Sequence, residues 1–143
     1  MSEAPAPADG MDELRARADA AARQAYAPYS RLNVGAALRS ASGQLYTGCN
    51  VENAAYPVGG CAERAAIATA VQAEGAAFRL AAIAVAAFDE AGRALPVSPC
   101  GACRQALVEF GGAAAVSFRQ PDASWVEVAA DALLPWRFVF PTR

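Results

Sequence analysis

The sequence predicts an α/β domain in which helices pack against a mixed β-sheet. Segments of helical and strand character follow one another in the order helix, hairpin, helix, strand, helix, strand, strand, helix. Because helices alternate with strands after the hairpin, we expect part of the sheet to be parallel, with right-handed crossovers. A length of 143 residues with no internal repeat or linker indicates a single domain, and 55% apolar residues are enough to form its core.

The N-terminal part of the chain predicts a helix followed by a hairpin. Apolar residues recur with helical spacing over residues 11–26, and Pro28 ends that helix. Residues 33–39 and 44–49 have the character of two short strands. The intervening Ser42-Gly43 pair supplies the turn, so the two strands are expected to pair as a hairpin.

The middle of the chain predicts a loop, a helix and a central strand. Residues 50–60 have loop composition, with Pro57 and two glycines towards the end. Residues 61–74 predict a helix that Gly75 ends. Residues 80–88 are apolar throughout, which is typical of a strand covered on both faces.

The C-terminal part predicts a third long helix and two more strands. The helix covers residues 101–110 and is ended by two glycines, and the strands cover residues 114–119 and 125–128. A short helix over residues 129–134 closes at Pro135. The predicted sheet therefore has five strands.

The composition excludes several classes of chemistry. The chain has no histidine and no lysine, which excludes Ser-His-Asp triads, histidine zinc ligands, Schiff-base lysines and the phosphate-binding P-loop. Its 12 basic residues are all arginines spread along the chain, and its net charge is −2. A nucleic-acid polymer is not an expected partner, because phosphate binding needs clustered positive charge.

The N-terminus and the hydropathy of the chain predict a cytoplasmic protein. Residues 1–10 are acidic and rich in proline and alanine, and we expect them to form a disordered tail before the domain at residues 11–143. They lack the basic start and apolar block of a signal peptide, and no stretch is apolar for long enough to span a membrane. In the cytoplasm thiols stay reduced, and cysteine clusters bind metals more often than they form disulfides.

The cysteines are the first candidate functional residues. Cys100 and Cys103 begin the third predicted helix, and a separation of three residues puts their sulfurs on the same side of its first turn. Taken alone, this pair is as compatible with a redox pair or two packed thiols as with a metal site. Cys61 begins the preceding helix, with Glu63 two residues later. Helix N-termini favour thiolates, so all three sulfurs are suited to a metal.

The number of sulfur ligands separates a catalytic from a structural zinc site. Three thiolates leave one tetrahedral position open, as in a catalytic site, whereas a structural site needs a fourth protein ligand. Cys49 is the alternative fourth ligand, but it lies at the end of a predicted strand before a long polar loop. We favour the three-ligand site, with Glu63 facing the open position.

The combined motifs resemble the small homotetrameric zinc cytidine deaminases. The resemblance rests on CNVENAAY at residues 49–56, CAER at 61–64 and SPCGACRQ at 98–105, with YAPYS and VGAA upstream, and it runs from residue 11 to residue 138. It implies a three-layer α-β-α domain with a five-stranded mixed sheet. It also implies zinc-dependent conversion of cytidine and deoxycytidine to uridine, deoxyuridine and ammonia, in pyrimidine salvage.

The resemblance implies roles for the metal-site residues. Cys61, Cys100 and Cys103 would hold one zinc ion per subunit, and hydroxide formed there would attack C4 of the pyrimidine. Glu63 would take the water's proton, pass it to N3 and then protonate the departing amine. Arg64 would hydrogen-bond to the ligand sulfurs and draw off their negative charge.

The resemblance also implies how the nucleoside is bound. Asn50 and Glu52 match the residues that bind the ribose hydroxyls, which predicts a nucleoside rather than free cytosine as the substrate. Tyr56 and the backbone around Ala54 and Ala62 correspond to further parts of the pocket.

Base recognition and assembly follow from the same resemblance. The carbonyl of Ser98 would accept a hydrogen bond from the 4-amino group, and Leu32 stands where the family usually has phenylalanine against the base. Phe138, with Trp136 as the alternative, would reach the pocket of a neighbouring subunit, so that the active site is complete only in the homotetramer.

Other functions make different predictions. A deaminase of another cytosine nucleoside, such as blasticidin S, is disfavoured by Asn50 and Glu52. A structural zinc protein or a nucleoside-binding protein would leave Glu63 idle. A redox protein would form a reversible disulfide between Cys100 and Cys103.

Overall fold

The computed structural model describes residues 6–142, and these form three α-helices and six β-strands. The helices are α1 (Ala6–Ala22), α2 (Ala62–Glu74) and α3 (Gly101–Phe110), and the strands are β1 (Asn33–Ser40), β2 (Leu45–Cys49), β3 (Leu80–Phe88), β4 (Ala94–Leu95), β5 (Ala115–Arg119) and β6 (Trp125–Ala129). The bounds of β3 and α3 are as predicted, and those of α2, β1, β2, β5 and β6 differ by one residue at one end.

All six strands form one mixed sheet, which confirms the predicted fold class. Its main order is β2-β1-β3-β5-β6. Strand β1 is antiparallel to both β2 and β3, and β6 is antiparallel to β5. Strands β3 and β5 are parallel, and the chain passes between them through α3. The expected parallel part of the sheet is therefore this central pair.

The prediction of five strands was wrong by one. Strand β4, only two residues long, pairs with Ala87 and Phe88 at the end of β3. Strand β5 pairs with residues 82–84 of β3, so β4 takes the part of the same strand edge that β5 leaves free. A two-residue strand is too short to show alternating polarity, and its pairing depends on the tertiary fold.

The first helix starts and ends earlier than predicted. It begins at Ala6, within the predicted tail, because a proline in the first turn removes an N–H group that has no helical partner. Residues 1–5 of that tail lie outside the described residues. The helix ends at Ala22 because the Tyr26 N–H donates to the Asn50 carbonyl, and the Tyr26 carbonyl accepts from the Glu52 N–H. This long-range pairing keeps residues 23–26 out of the helix.

The last predicted helix is a single 3₁₀ turn at Ala130–Leu133. Its start is tied to the loop before β5, since the Ala130 N–H donates to the Ala114 carbonyl and the Asp131 N–H donates to the Gly112 carbonyl. These bonds fix the turn directly after β6 and limit it to these four residues.

Helices cover both faces of the sheet, as the predicted three layers require. Helix α1 packs on one face and buries a small cluster of apolar side chains comprising Met11, Leu14, Ala18, Ala37, Ala84 and Ala86. Helices α2 and α3 pack on the other face over the larger cluster. The bulkiest fully buried members of that cluster are Phe78, Leu38, Ile83, Leu107, Val85 and Val116.

Two glycines allow the helices to approach the hairpin closely. A Cβ at Gly35 in β1 would collide with backbone atoms of α1 at Ala18 and Ala22. A Cβ at Gly48 in β2 would lie 2.5 Å from the Ala66 nitrogen and 2.6 Å from the Ala62 carbonyl oxygen of α2. The start of α2 therefore lies directly against β2.

Substituting Gly48→Ala is expected to lower the free energy of unfolding by about 3 kcal/mol, because backbone atoms cannot yield to the added methyl group. Denaturant unfolding measures the effect. Gly101→Ala is the control, since a Cβ there has no neighbour within 4 Å. Equal stability of the two variants would contradict the close approach of α2 to β2.

Within residues 6–142, no helix combines the length and the hydropathy that are needed to cross a membrane.

Candidate metal centre and active site

The N-termini of α2 and α3 meet at one site. Cys61 precedes the first residue of α2 and Cys100 precedes the first residue of α3, each with extended backbone (φ −82° and −69°). Neither cysteine makes a side-chain capping bond to its own helix. Cys103 follows in the first turn of α3. The three sulfurs therefore lie at the N-termini of two helices, where the helix dipoles place partial positive charge.

The cysteine cluster fits a zinc ion. The sulfur atoms of Cys61, Cys100 and Cys103 all lie within 4.8 Å of one another, and the Cys61 and Cys100 sulfurs are 3.9 Å apart. Three thiolates at about 2.3 Å from a tetrahedral zinc ion have their sulfurs about 3.8 Å apart. The predicted cofactor thus has a site of the right size and donor type in this chain.

Cys49 lies outside this cluster. It ends β2, opposite Gly35 of β1, and within the described residues the group of ligand atoms that could share a metal ion comprises the other three cysteines. This placement agrees with a three-ligand site and gives no support to the four-cysteine alternative.

Arg64 contacts the cluster. Its Nη2 atom lies 3.7 Å from the Cys61 sulfur. The hydrogen bonds that Arg64 donates to the Cys61 and Cys103 sulfurs raise its pKa, so the guanidinium stays charged beside the sulfurs. Burial, reinforced by the charge of Glu63, raises the pKa of the Cys103 thiol, which a bound divalent cation would offset.

Glu63 contacts the cysteine cluster at Cys103 and lines a cavity that Cys61 and Cys100 also line. It occupies the first turn of α2, only 4% exposed, and lines the cavity. Burial raises the pKa of its carboxyl group, against the opposing effects of its own N–H group, the Cys103 thiol and the Arg64 charge. A buried carboxylate that contacts a three-sulfur cluster and lines a cavity is suited to moving protons there.

The cavity has a volume of about 520 Å³, which suits a ligand the size of a nucleoside. The structure brings nine of the predicted site residues to its wall. They are Leu32, Asn50, Glu52, Tyr56, Cys61, Ala62, Glu63, Ser98 and Cys100.

Asn50 and Glu52 join the part of the cavity wall formed by residues 29–34 to the segment that follows β2. The Asn50 side chain accepts a hydrogen bond from the Val34 N–H and donates one to the Leu32 carbonyl, both 2.8 Å long. Glu52 Oε1 accepts from the N–H groups of Tyr29 (2.9 Å) and Ser30 (3.1 Å). Glu52 Oε2 accepts from the Ser30 hydroxyl, and this bond is the first cause of the lowered pKa of Glu52.

Sequence reasoning missed several residues of the cavity wall. Those with polar groups or little bulk are Tyr29, Ser30, Asn53, Gly59 and Gly60. Tyr29 and Ser30 belong to the YAPYS segment that supported the resemblance, but no local pattern shows that this segment lies over a cavity. Their position depends on Glu52, which is more than 20 residues away in the chain.

Three of the residues predicted to bind substrate do not line this cavity. Ala54 is exposed in the loop before the 3₁₀ turn at Tyr56–Val58. Trp136 is fully exposed and Phe138 is 67% exposed, and the ring of Phe138 packs edge-on against Phe140. Roles for these residues in substrate binding stay predictions.

Comparison with known proteins shows the family. Residues 11–119 match the family model described as the cytidine and deoxycytidylate deaminase zinc-binding region. A cytidine deaminase of Sporosarcina psychrophila is 48% identical over 100 residues, which cover 70% of this chain and 69% of that protein. The crystal structure of cytidine deaminase from Burkholderia pseudomallei is 40% identical with a TM-score of 0.77, over 89% of this chain and 98% of that one.

A second solved structure agrees with the first. Cytidine deaminase from Mycobacterium tuberculosis is 39% identical with a TM-score of 0.72, over 91% of this chain and 98% of that chain. The matched residues include the three clustered cysteines and Glu63. With its mixed sheet, paired helix N-termini and cysteine cluster, this chain belongs to the cytidine and deoxycytidylate deaminase family.

Proposed function

We propose that this chain catalyses the hydrolytic deamination of cytidine and deoxycytidine, giving uridine or deoxyuridine and ammonia. The observation that carries the proposal is the position of Glu63, a buried carboxylate that contacts the cysteine cluster and lines a cavity of nucleoside size together with Cys61 and Cys100. A structural metal site has no use for such a carboxylate, whereas a deaminase needs one to move two protons.

In the proposed reaction Glu63 acts as a base and then as an acid. Zinc, when bound by Cys61, Cys100 and Cys103, supplies a positive charge that makes a water molecule acidic enough to react at neutral pH. Glu63 takes the proton of this water and delivers it to N3 of the pyrimidine while C4 is attacked. The same carboxylate would then take the second proton, from the new C4 hydroxyl, and give it to the departing amine, so that one water is consumed and one ammonia is released for each uridine.

Arg64 supports this chemistry through charge. Three thiolates and one zinc ion carry a formal charge of −1, which weakens the metal as a Lewis acid. A guanidinium that donates to the Cys61 sulfur withdraws part of that charge.

The nucleoside would lie between the two cavity walls. Among residues 6–142 the Asn50 amide nitrogen donates to the Leu32 carbonyl alone, and Glu52 Oε2 can accept further bonds, so both side chains can bind ribose hydroxyls in addition to their own partners. Leu32 and Ser98 both line the cavity, where Leu32 would cover a face of the base. Tyr56 and the backbone at Ala54 and Ala62 complete the proposed binding site.

We assign the whole of residues 11–143 to this catalytic domain and place the active form in a homotetramer in the cytoplasm. The C-terminal segment exposes four large apolar side chains, which a neighbouring subunit would cover; they are Trp136, Phe138, Val139 and Phe140. All four cysteines are free thiols, as a reducing compartment requires.

The loss of ultraviolet absorbance of cytidine on conversion to uridine tests the proposal directly. We expect turnover of cytidine and deoxycytidine, with free cytosine at least about a hundredfold slower because the ribose-binding groups would be left unpaired. Protein with one zinc per chain that fails to convert cytidine would overturn the proposal. Equal turnover of cytosine, or preferred turnover of blasticidin S, would instead overturn the assignment of Asn50 and Glu52.

A further inference from the structure

Arg104 ties one wall of the cavity to the C-terminal segment. It directly follows Cys103 in α3, and its guanidinium donates three hydrogen bonds to three different acceptors. Nε donates to the Pro99 carbonyl (2.7 Å), Nη2 to the Ser98 hydroxyl (3.0 Å) and Nη1 to the Leu133 carbonyl (3.0 Å). Pro99 itself is fully buried.

The acceptors of Arg104 indicate that its side chain positions neighbouring groups and does not form an ion pair. All three are neutral oxygens, and among residues 6–142 no carboxylate forms a salt bridge with this guanidinium. A guanidinium presents its donors in a rigid planar fork, so three simultaneous bonds fix the relative positions of the groups that accept them.

These bonds leave one acceptor of the cavity wall free. Arg104 occupies the Ser98 hydroxyl and the Pro99 carbonyl, whereas the Ser98 carbonyl accepts no hydrogen bond from the described residues. Ser98 lines the cavity that also contains Glu63. A free carbonyl there attracts a ring amino group, which donates, and repels a ring carbonyl, which only accepts.

We propose that Arg104 is a positioning residue that holds the Ser98 carbonyl towards the substrate and so sets the preference for a 4-amino over a 4-oxo pyrimidine. The inference rests on the proposed function and extends it to the release of product, because uridine carries the 4-oxo group. The bond to Leu133 would link this preference to the segment that carries Phe138.

Substituting Arg104→Met keeps the bulk of the side chain and removes all three bonds. We expect the KM for cytidine to rise about tenfold while kcat falls less than threefold. Inhibition by uridine should stay unchanged or become stronger, because the repelling carbonyl is no longer held in place. The KM for cytidine of Arg104→Lys should lie between those of Arg104→Met and the native chain, since one ammonium group cannot reproduce the planar fork of the guanidinium.

Arg79→Met is the control for these measurements. Arg79 also donates to backbone carbonyls, those of Ala76 and Phe78, but it lies beyond the far end of α2 from the cavity. Its loss should leave the ratio of cytidine KM to uridine inhibition constant unchanged. Zinc content and melting temperature, measured for every variant, separate a change in this ratio from a general loss of structure.

The outcomes distinguish this inference from the proposed function. A native chain that does not convert cytidine overturns both. A native chain that converts cytidine, beside an Arg104→Met variant with an unchanged ratio, overturns only the role of Arg104. If that variant does not fold, Ser98→Ala removes one acceptor alone, and we expect a twofold to threefold rise in the same ratio. No change there would also overturn the inference.

Discussion

Substituting Glu63→Gln is expected to lower kcat for cytidine by about a thousandfold, since a positioned acid–base group contributes between about a hundredfold and ten-thousandfold. Glutamine has the same size and can still contact Cys103, but it cannot accept and return a proton. The carboxylate is buried beside the cysteine cluster, so no other carboxylate of this wall can replace it. Steady-state rates with cytidine measure the effect.

The control for Glu63 is the same chemical change at an exposed site. Glu109→Gln alters an exposed residue near the end of α3 and should leave kcat within a factor of two. Zinc content should stay at one ion per chain in both variants. Retention of more than about a tenth of the native kcat by Glu63→Gln would show that the carboxylate is not the proton carrier.

Substituting Cys103→Ser is expected to remove zinc from the purified protein and to reduce turnover below detection. Cys103 is fully buried, its sulfur belongs to the three-sulfur cluster, and metal binding in such a site needs a thiolate. A serine hydroxyl at the same position is a poor ligand for zinc. Metal analysis of the purified variant measures the loss, and the rate with cytidine confirms its consequence.

Cys49→Ser is the matched control, because Cys49 is a free cysteine outside the cluster. It should keep one zinc per chain and nearly native turnover. Loss of zinc from this variant would favour a four-sulfur structural site. Cobalt substitution distinguishes the two sites independently, since its absorption spectrum reports the number of sulfur ligands.

The candidate site divides into a predictable and an unpredictable half. The metal half could be predicted because both cysteine segments begin helices, where the spacing of residues determines which side chains share the first turn. The opposite wall was only partly predicted. Asn50 and Glu52 were assigned to ribose through a resemblance, but their bonds to residues 29–34 could not be inferred, because those partners lie 16 to 23 positions away.

The sequence by itself determined the elements whose signals are local. Apolar runs, turn residues and helix-ending glycines predicted β3 and α3 with their observed bounds, and cysteine spacing predicted the metal cluster. The tertiary structure alone decided the sixth strand, the early end of α1 and the bond from Arg104 to Leu133. Each of these depends on a hydrogen bond between segments that meet only after folding, and the free energy of such a bond is absent from any local pattern of residues.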